Sequence, residues 1–393
     1  MNTLIIQLAT MWLLLMTWAS AEPTGEAPDP AQAETSSRPS IPMEAYGVAL
    51  PLTCCGTDSV DLAQKLLPDR FKRHSNAKHV ILTDASWDSL IQIRTALRRA
   101  WAEYRGFARR LGVPLQKPDE KLACIVFNDH EDFMDFSKKT LGDLSMLEHA
   151  GGYYSNRFNW IVFYEPEHQE LIDLEHQRLN EYQQHLDSSR QNIDLVSLDP
   201  ETASRIEDTW ERQQDFIDES RKEILKWAQG SRSRITIHEA IHQFTHPCDA
   251  PQRNHSWPAW LDEGLATSFE TSDATLGFGP DRLSIHRDGP FTGLVNSDQL
   301  MPLRDFIVID GYGDATQASL HAFYAQAYGL LTWLYEYRTP QLSSFLKHLE
   351  TEPEEGQRHD LEFVFEKHFG NIEKLEKRWH RIEQTDWRSK RHQ

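Results

Sequence analysis

The chain has 393 residues, 39% of them hydrophobic and 26% charged: enough apolar side chains for a sizeable core, too many for a wholly disordered chain. Its 60 acidic and 41 basic residues give a formal charge of -19, which argues against nucleic acid as a partner, and its four cysteines are too few for a disulfide scaffold. The 18 histidines are the part of the composition that needs a reason.

Residues 1–21 carry no charged side chain. Leu4 to Trp18 form an apolar stretch centred on Leu13, Leu14 and Leu15, and Ala19-Ser20-Ala21 forms a small-x-small site before Glu22. This reads as a signal peptide, so the expected location is secreted or periplasmic. Left uncleaved, the same segment would be a membrane anchor, the only membrane contact the sequence implies. Residues 22–58 are rich in Pro, Ser, Ala and Glu, with Pro23, Pro28, Pro30, Pro39 and Pro42, and read as a flexible linker. Residues 59–393 then form one domain. Cys54, Cys55, Cys124 and Cys248 allow three disulfide pairings, and spacing does not choose among them.

Within the domain, the pattern predicts strands over Lys78–Thr83 and Leu122–Phe127 and helices over Trp87–Leu111 and His130–Leu141. Gly151–Tyr154 and Trp160–Tyr164 read as a hairpin around Ser155-Asn156-Arg157. Residues 167–230 are highly charged and helix-forming. Leu171, Leu174, Leu179, Tyr182 and Leu186 make one apolar stripe; Trp210, Ile217 and Ile224 recur every seven residues after the helix start at Asp199-Pro200. An inserted helical hairpin fits this segment. From Ser231 the chain is mostly helical, ending in a solvated basic helix over Lys374–Arg391. The fold class is therefore α+β, with a small mixed sheet, a mostly helical C-terminal half and the site in the cleft between them. No phosphate-cradling Gly loop and no G-x-S-x-G occurs.

The chemistry concentrates in His238-Glu239-Ala240-Ile241-His242. Residues four apart share a helix face, so both imidazoles can reach one Zn²⁺, with Glu239 beside the open coordination position as a general base. Downstream, Trp257 to Ala266 begins a second helix at Pro258, with Leu261, Leu265 and Phe269 as its buried stripe. Glu263 faces away from that stripe, among the small residues Ala259, Ala266 and Thr267. That small face is expected to pack on the H-E-x-x-H helix and deliver Glu263 as third ligand. Cys248, His246, His255 and Asp262 are the rival ligands. A metzincin pattern fails, because Thr245 and Cys248 stand where it requires Gly and His.

His238-Glu239-x-x-His242 followed by Trp260-Leu261-Asp262-Glu263-Gly264-Leu265-Ala266 resembles the gluzincin metallopeptidases of the peptidase-MA-like clan. It is most similar to secreted bacterial proteins carrying a peptidase-MA-like domain of unknown function. The resemblance spans about Lys78 to Glu350 and implies a zincin-like fold, a zinc site of His238, His242 and Glu263, and Glu239 as catalytic base. It extends to Tyr324-Ala325-Gln326-Ala327-Tyr328. There it implies Tyr324, placed before a helix, as donor to the tetrahedral oxyanion, with Tyr328 and His321 in reserve. The Gly-x-Met-Glu-Asn segment with which aminopeptidases hold a substrate amine is absent. Gly151-Gly152-Tyr153-Tyr154, in roughly that place, offers no carboxylate. The expectation is a zinc-dependent peptidase acting on a peptide or protein substrate, endopeptidase favoured. The competing expectation is a catalytically silent, zinc-stabilised secreted binding module acting through the charged hairpin. Oligomeric state is not legible.

Overall fold

Three apolar runs set the centre of the molecule. Every residue of His79–Thr83 (β4), Leu122–Phe127 (β5) and Trp160–Tyr164 (β7) is buried, so both faces of these strands must be covered. They pair in parallel, β4 with β5 and β5 with β7. Lys72–Ser75 (β3) and Gly152–Ser155 (β6) add antiparallel edges, giving the order β3-β4-β5-β7-β6. The computed structural model describes residues 42–113, 120–142, 150–166, 170–246, 257–309, 317–351 and 359–383. The expected signal segment 1–21, the expected linker up to residue 41, Cys248, His255 and the expected end of the basic helix beyond residue 383 lie outside the described residues.

The side-chain period of two sorts the strand residues into two cores. Val80, Leu82, Ala123, Ile125, Phe127 and Val162 face Gly56–Leu66 (α1) and His130–Leu141 (α3). Ile81, Cys124, Val126, Ile161 and Phe163 face the other way, into a core shared with Trp87–Leu111 (α2) and the C-terminal helices. The bounds of α2 follow from its ends. Ser86 accepts a hydrogen bond from the Ser89 amide, and Gly112 closes the helix at φ 61°. Asp129 caps α3 by accepting from the amides of Glu131 and Asp132. Cys55 is disulfide-bonded, and Cys124 keeps a buried thiol on β5.

Part of the expected linker is structured. Glu44–Ala45 (β1) and Val48–Ala49 (β2) form a hairpin turned by Tyr46 and Gly47 at φ 51° and 75°, and α1 begins at Gly56. Ala45 and Leu50 are buried in the α1/α3 core, and the Arg157 guanidinium donates to the carbonyls of Pro42 and Pro51. Proline content concealed this because each strand is only two residues long. The polar strand β3 was also missed; an exposed edge carries no apolar alternation.

The charged segment does fold as a helical hairpin, but differently bounded. Its arms are Glu170–Asn192 (α4) and a helix of 46 residues, Pro200–Thr245 (α5). Asp199 caps α5, accepting from the Thr202 amide, with Pro200 in the first turn. Gly230 does not end the arm. A Cβ there would sit 3.0 Å from Ser272 Cβ, so this glycine serves a close approach inside a continuous helix. The contact stripe of α4 runs through Ile172, Leu179 and Leu186, whereas Leu174 and Tyr182 are exposed. On the other arm Ile217 and Ile224 are buried, and the Trp210 indole donates to Ser189 Oγ.

The inner end of α5 is pinned to the sheet. Arg232 donates to Glu165 Oε2 through Nε at 2.7 Å, with both side chains buried, and to Gln92. The Gln243 amide donates to the carbonyls of Ala123 and Asn159. Ala259–Phe269 (α6) then crosses between α5 and Gln317–Tyr337 (α9), while Ile285–Asn296 (α7) packs on α9. Leu303–Ile307 (α8), Thr339–Leu349 (α10), Leu361–Phe369 (α11) and Ile372–Glu383 (α12) complete the helical half. The last helix is not wholly solvated: Trp379 is fully buried, stacked on Phe291. No helix among the described residues is long and apolar enough to cross a membrane.

Helix α6 packs on the H-E-x-x-H helix, as expected, and it also approaches α9 closely. A Cβ on Gly264 would lie 2.6 Å from the Ala327 carbonyl oxygen, so this glycine serves a close contact with α9. Gly264→Ala should therefore push two backbones apart. Chemical denaturation should show a loss of about 1–3 kcal/mol, the usual cost of overpacking.

Candidate metal centre

Two turns of α5 and one turn of α6 supply the candidate ligands. The local sequence makes α5 amphipathic here: Ile237, Ala240, Ile241 and Phe244 are buried in the core, and His238 and His242 face the C-terminal helices. The helix closes at Thr245, with the His246 amide donating to the His242 carbonyl. Pro258 opens α6, and Leu261, Leu265 and Phe269 are buried as expected. That places Glu263 opposite the two histidines, itself only 8% exposed.

Three ligand atoms converge. His238 Nε2 and His242 Nε2 are 3.1 Å apart, and Glu263 Oε2 lies 3.1 Å from the first and 3.5 Å from the second. Three tetrahedral ligands, each roughly 2.0–2.1 Å from zinc, stand about 3.3 Å from one another. The observed triangle has that size.

The outer nitrogens explain why the inner ones face each other. His238 Nδ1 is 2.9 Å from Glu270 Oε1, and His242 Nδ1 is 3.1 Å from Asp262 Oδ1. Glu270 is held by Arg287 in a two-point pair, both contacts 2.7 Å. Asp262 is also 3.0 Å from His246 Nε2. Despite burial, the Arg287 charge and the His238 contact hold the Glu270 carboxyl down at about 2, and His246 and His242 hold Asp262 well below its ordinary value. Both carboxylates are thus ionised acceptors, so both Nδ1 atoms carry hydrogen. Each Nε2 then presents a lone pair to the same point as a Glu263 carboxylate oxygen. Three lone pairs meeting in a buried site require a cation or protons between them.

The charge state agrees. Burial alone would lower the His238 pKa, yet the contacts with Glu263 and Glu270 outweigh it and lift the value to about 9. His242 is likewise raised against burial, chiefly by Asp262 and Glu263, and Glu263 is pulled below the carboxylate range by His242 and His238. The residues present suit a borderline-soft cation with nitrogen and oxygen ligands, the donor set zinc takes.

Glu239 is buried, and its nearest charges are His238, His242, Glu263 and Glu270. Burial raises its carboxyl above the ordinary range. Tyr324 lies within α9, inside the helix rather than before it as the resemblance implied, because α9 already starts at Gln317. Its ring stands 6.3 Å from the His238 ring and is covered by the Arg287 guanidinium at 5.4 Å. Tyr328 is fully buried, its hydroxyl accepting from the Ser284 amide, and His321 is exposed. Among the rival ligands, Asp262 and His246 form a group with the outer side of His242 and stand apart from the inner triangle.

The sequence reading missed Glu270 and Arg287. Glu270 stands seven residues after Glu263, two turns along the same face and one residue past the helix end. That spacing was the available signal; nothing in the sequence pairs Arg287 with it.

Residues 233–354 match a family described as a protein of unknown function, DUF1570. The matched span contains His238, Glu239, His242, Glu263, Glu270, Arg287 and Tyr324, and excludes the sheet and most of the hairpin. No curated protein matches the chain.

Metal must displace the protons that His238 and His242 hold in its absence. Zinc affinity should therefore rise with pH by about tenfold per unit for each proton displaced, and the share of that rise owed to His238 should end once pH passes about 9, where that ring is neutral. Calorimetric titration in buffers of different ionisation enthalpy counts those protons. Glu270→Gln should weaken zinc binding about 10–100-fold at pH 7.

Proposed function

We propose that this chain is an exported, zinc-dependent peptidase of gluzincin type, hydrolysing bonds within a peptide or protein substrate. The observation that carries the reading is the triangle of His238 Nε2, His242 Nε2 and Glu263 Oε2, 3.1–3.5 Å on a side, with a buried carboxylate on the same helix. Zinc held by these three residues supplies a Lewis acid and a nucleophilic water.

The chain's own groups supply the rest. Burial makes Glu239 a better proton acceptor near neutral pH than a surface glutamate. It takes a proton from the attacking water and returns it to the leaving amine. Burial, with the charges of Glu263 and Glu239, lifts the Tyr324 hydroxyl well above its ordinary pKa. It therefore stays a neutral donor, suited to the charge that develops on the carbonyl oxygen. Endopeptidase action is favoured because Gly151-Gly152-Tyr153-Tyr154 offers no carboxylate to bind a free amine.

A second reading rests on the continuity of α5. The metal helix and the exposed arm of the hairpin are one helix, so an ion could serve only to brace a binding arm. Against this stands Glu239, a buried carboxylate that a bracing site does not need. Structural zinc also takes four protein ligands, where this triangle has three.

Glu239→Gln should retain stoichiometric zinc and lose about 10²–10⁴-fold in cleavage of a peptide library. Tyr324→Phe should lower kcat by about 10²–10³ with little change in KM. Full zinc occupancy in the wild type with no cleavage of any peptide would favour the binding arm.

A further inference from the structure

Arg234 is the charged group beside the site that the proposed chemistry does not use. It precedes His238 by four residues, one turn back on the same face of α5. Its guanidinium donates from Nη2 to Ser231 Oγ at 2.7 Å and from Nη1 to His286 Nε2 at 3.1 Å. A guanidinium only donates, so His286 Nε2 accepts and that ring is neutral. Burial and the Arg234 charge agree, pushing His286 down to about 4. Gly230 leaves the space a side chain would fill, with Arg234 Nη1 3.7 Å from that point.

Both partners of Arg234 are thus uncharged. Among the described residues no carboxylate forms an ion pair with it, in a chain where acids outnumber bases 60 to 41. The neighbouring acid, Glu270, is committed to Arg287 and His238. Arg287 itself is neutralised by that pair and stacked on Tyr324, so it does not compete for an incoming anion. Arg232, two residues earlier, has the arrangement Arg234 lacks: a buried pair with Glu165. Burial lowers the Arg234 pKa, which marks a partly desolvated cation. Such a cation gains most from a fork-on carboxylate.

We infer that Arg234, one helical turn from His238, recognises a carboxylate of the substrate and so makes this a peptidase selective for an acidic group. The inference rests on the peptidase reading above. Two sources share that chemistry: an aspartate or glutamate side chain, or the free C-terminus of a short peptide.

The test uses the mature, zinc-loaded chain and matched peptides. One set exchanges Glu for Gln at each position in turn; the other compares free and amidated C-termini. The expected result is one position, or the terminus, at which the acid exceeds its amide partner by about tenfold or more in kcat/KM. The same ratio should appear in Kd for Glu239→Gln, which binds without turnover. Arg234→Gln should bring the ratio to near one, Arg234→Lys should keep part of it, and Arg234→Glu should turn it toward lysine-bearing peptides. A wild-type ratio near one at every position overturns the inference while cleavage of the neutral peptides leaves the peptidase reading standing, and this measurement needs no variant to fold. A preference that survives in Arg234→Gln also overturns it. If no peptide is bound or cleaved, the peptidase reading fails and takes the inference with it.

Discussion

Two outer carboxylates decide what the inner face of the site can be. Glu270 and Asp262 each take the Nδ1 hydrogen of one histidine, at 2.9 and 3.1 Å. With those hydrogens committed, both Nε2 lone pairs must turn inward, where Glu263 already points. A site of this kind is electrostatically incomplete without a positive centre. Arg287 completes the outer layer by fixing Glu270 at two points, and its guanidinium also covers the ring of Tyr324. One arginine thus ties the orientation of a candidate ligand to the position of the candidate oxyanion donor.

The scaffold serves that arrangement by stiffness at both ends. Helix α5 is held against the sheet by the buried Arg232–Glu165 pair and by Gln243, which spans the carbonyls of Ala123 and Asn159. Helix α6 is held against α9 at Gly264, where only a glycine fits beneath the Ala327 carbonyl. The histidines therefore depend on the sheet layer and Glu263 on the helical layer. The site reports on the packing of one against the other through the core they share. The hairpin arm is an extension of the same helix, so any load on it reaches His238 without crossing a joint.

Much of this was legible in the sequence, for identifiable reasons. Trp87–Leu111 and His130–Leu141 have capping side chains and glycine stops, so their ends are written locally. Leu122–Phe127 and Trp160–Tyr164 are apolar throughout, the mark of a strand covered on both faces. What failed was context. Gly230 closes the charged segment as read from the sequence, and only the approach of Ser272 explains it as an interior residue of a longer helix. The two-residue strands and the polar edge Lys72–Ser75 carry no periodic signal. At the site, helical spacing put His238 and His242 on one face, and the small neighbours of Glu263 pointed it toward them; the three side chains do converge. The outer carboxylates are not legible in this way: Asp262 reads as a rival ligand, Glu270 offers only its spacing from Glu263, and the geometry alone brings each to an imidazole.

An ion, if bound, is expected among His238 Nε2, His242 Nε2 and Glu263 Oε2. Anomalous diffraction at the zinc edge, from crystals of the zinc-loaded chain, tests this placement most directly. One strong peak per chain is expected, roughly 2.0–2.1 Å from His238 Nε2, His242 Nε2 and an oxygen of Glu263. A peak seated instead among His246, Asp262 and the outer nitrogen of His242, or no peak at all at full zinc loading, would contradict it.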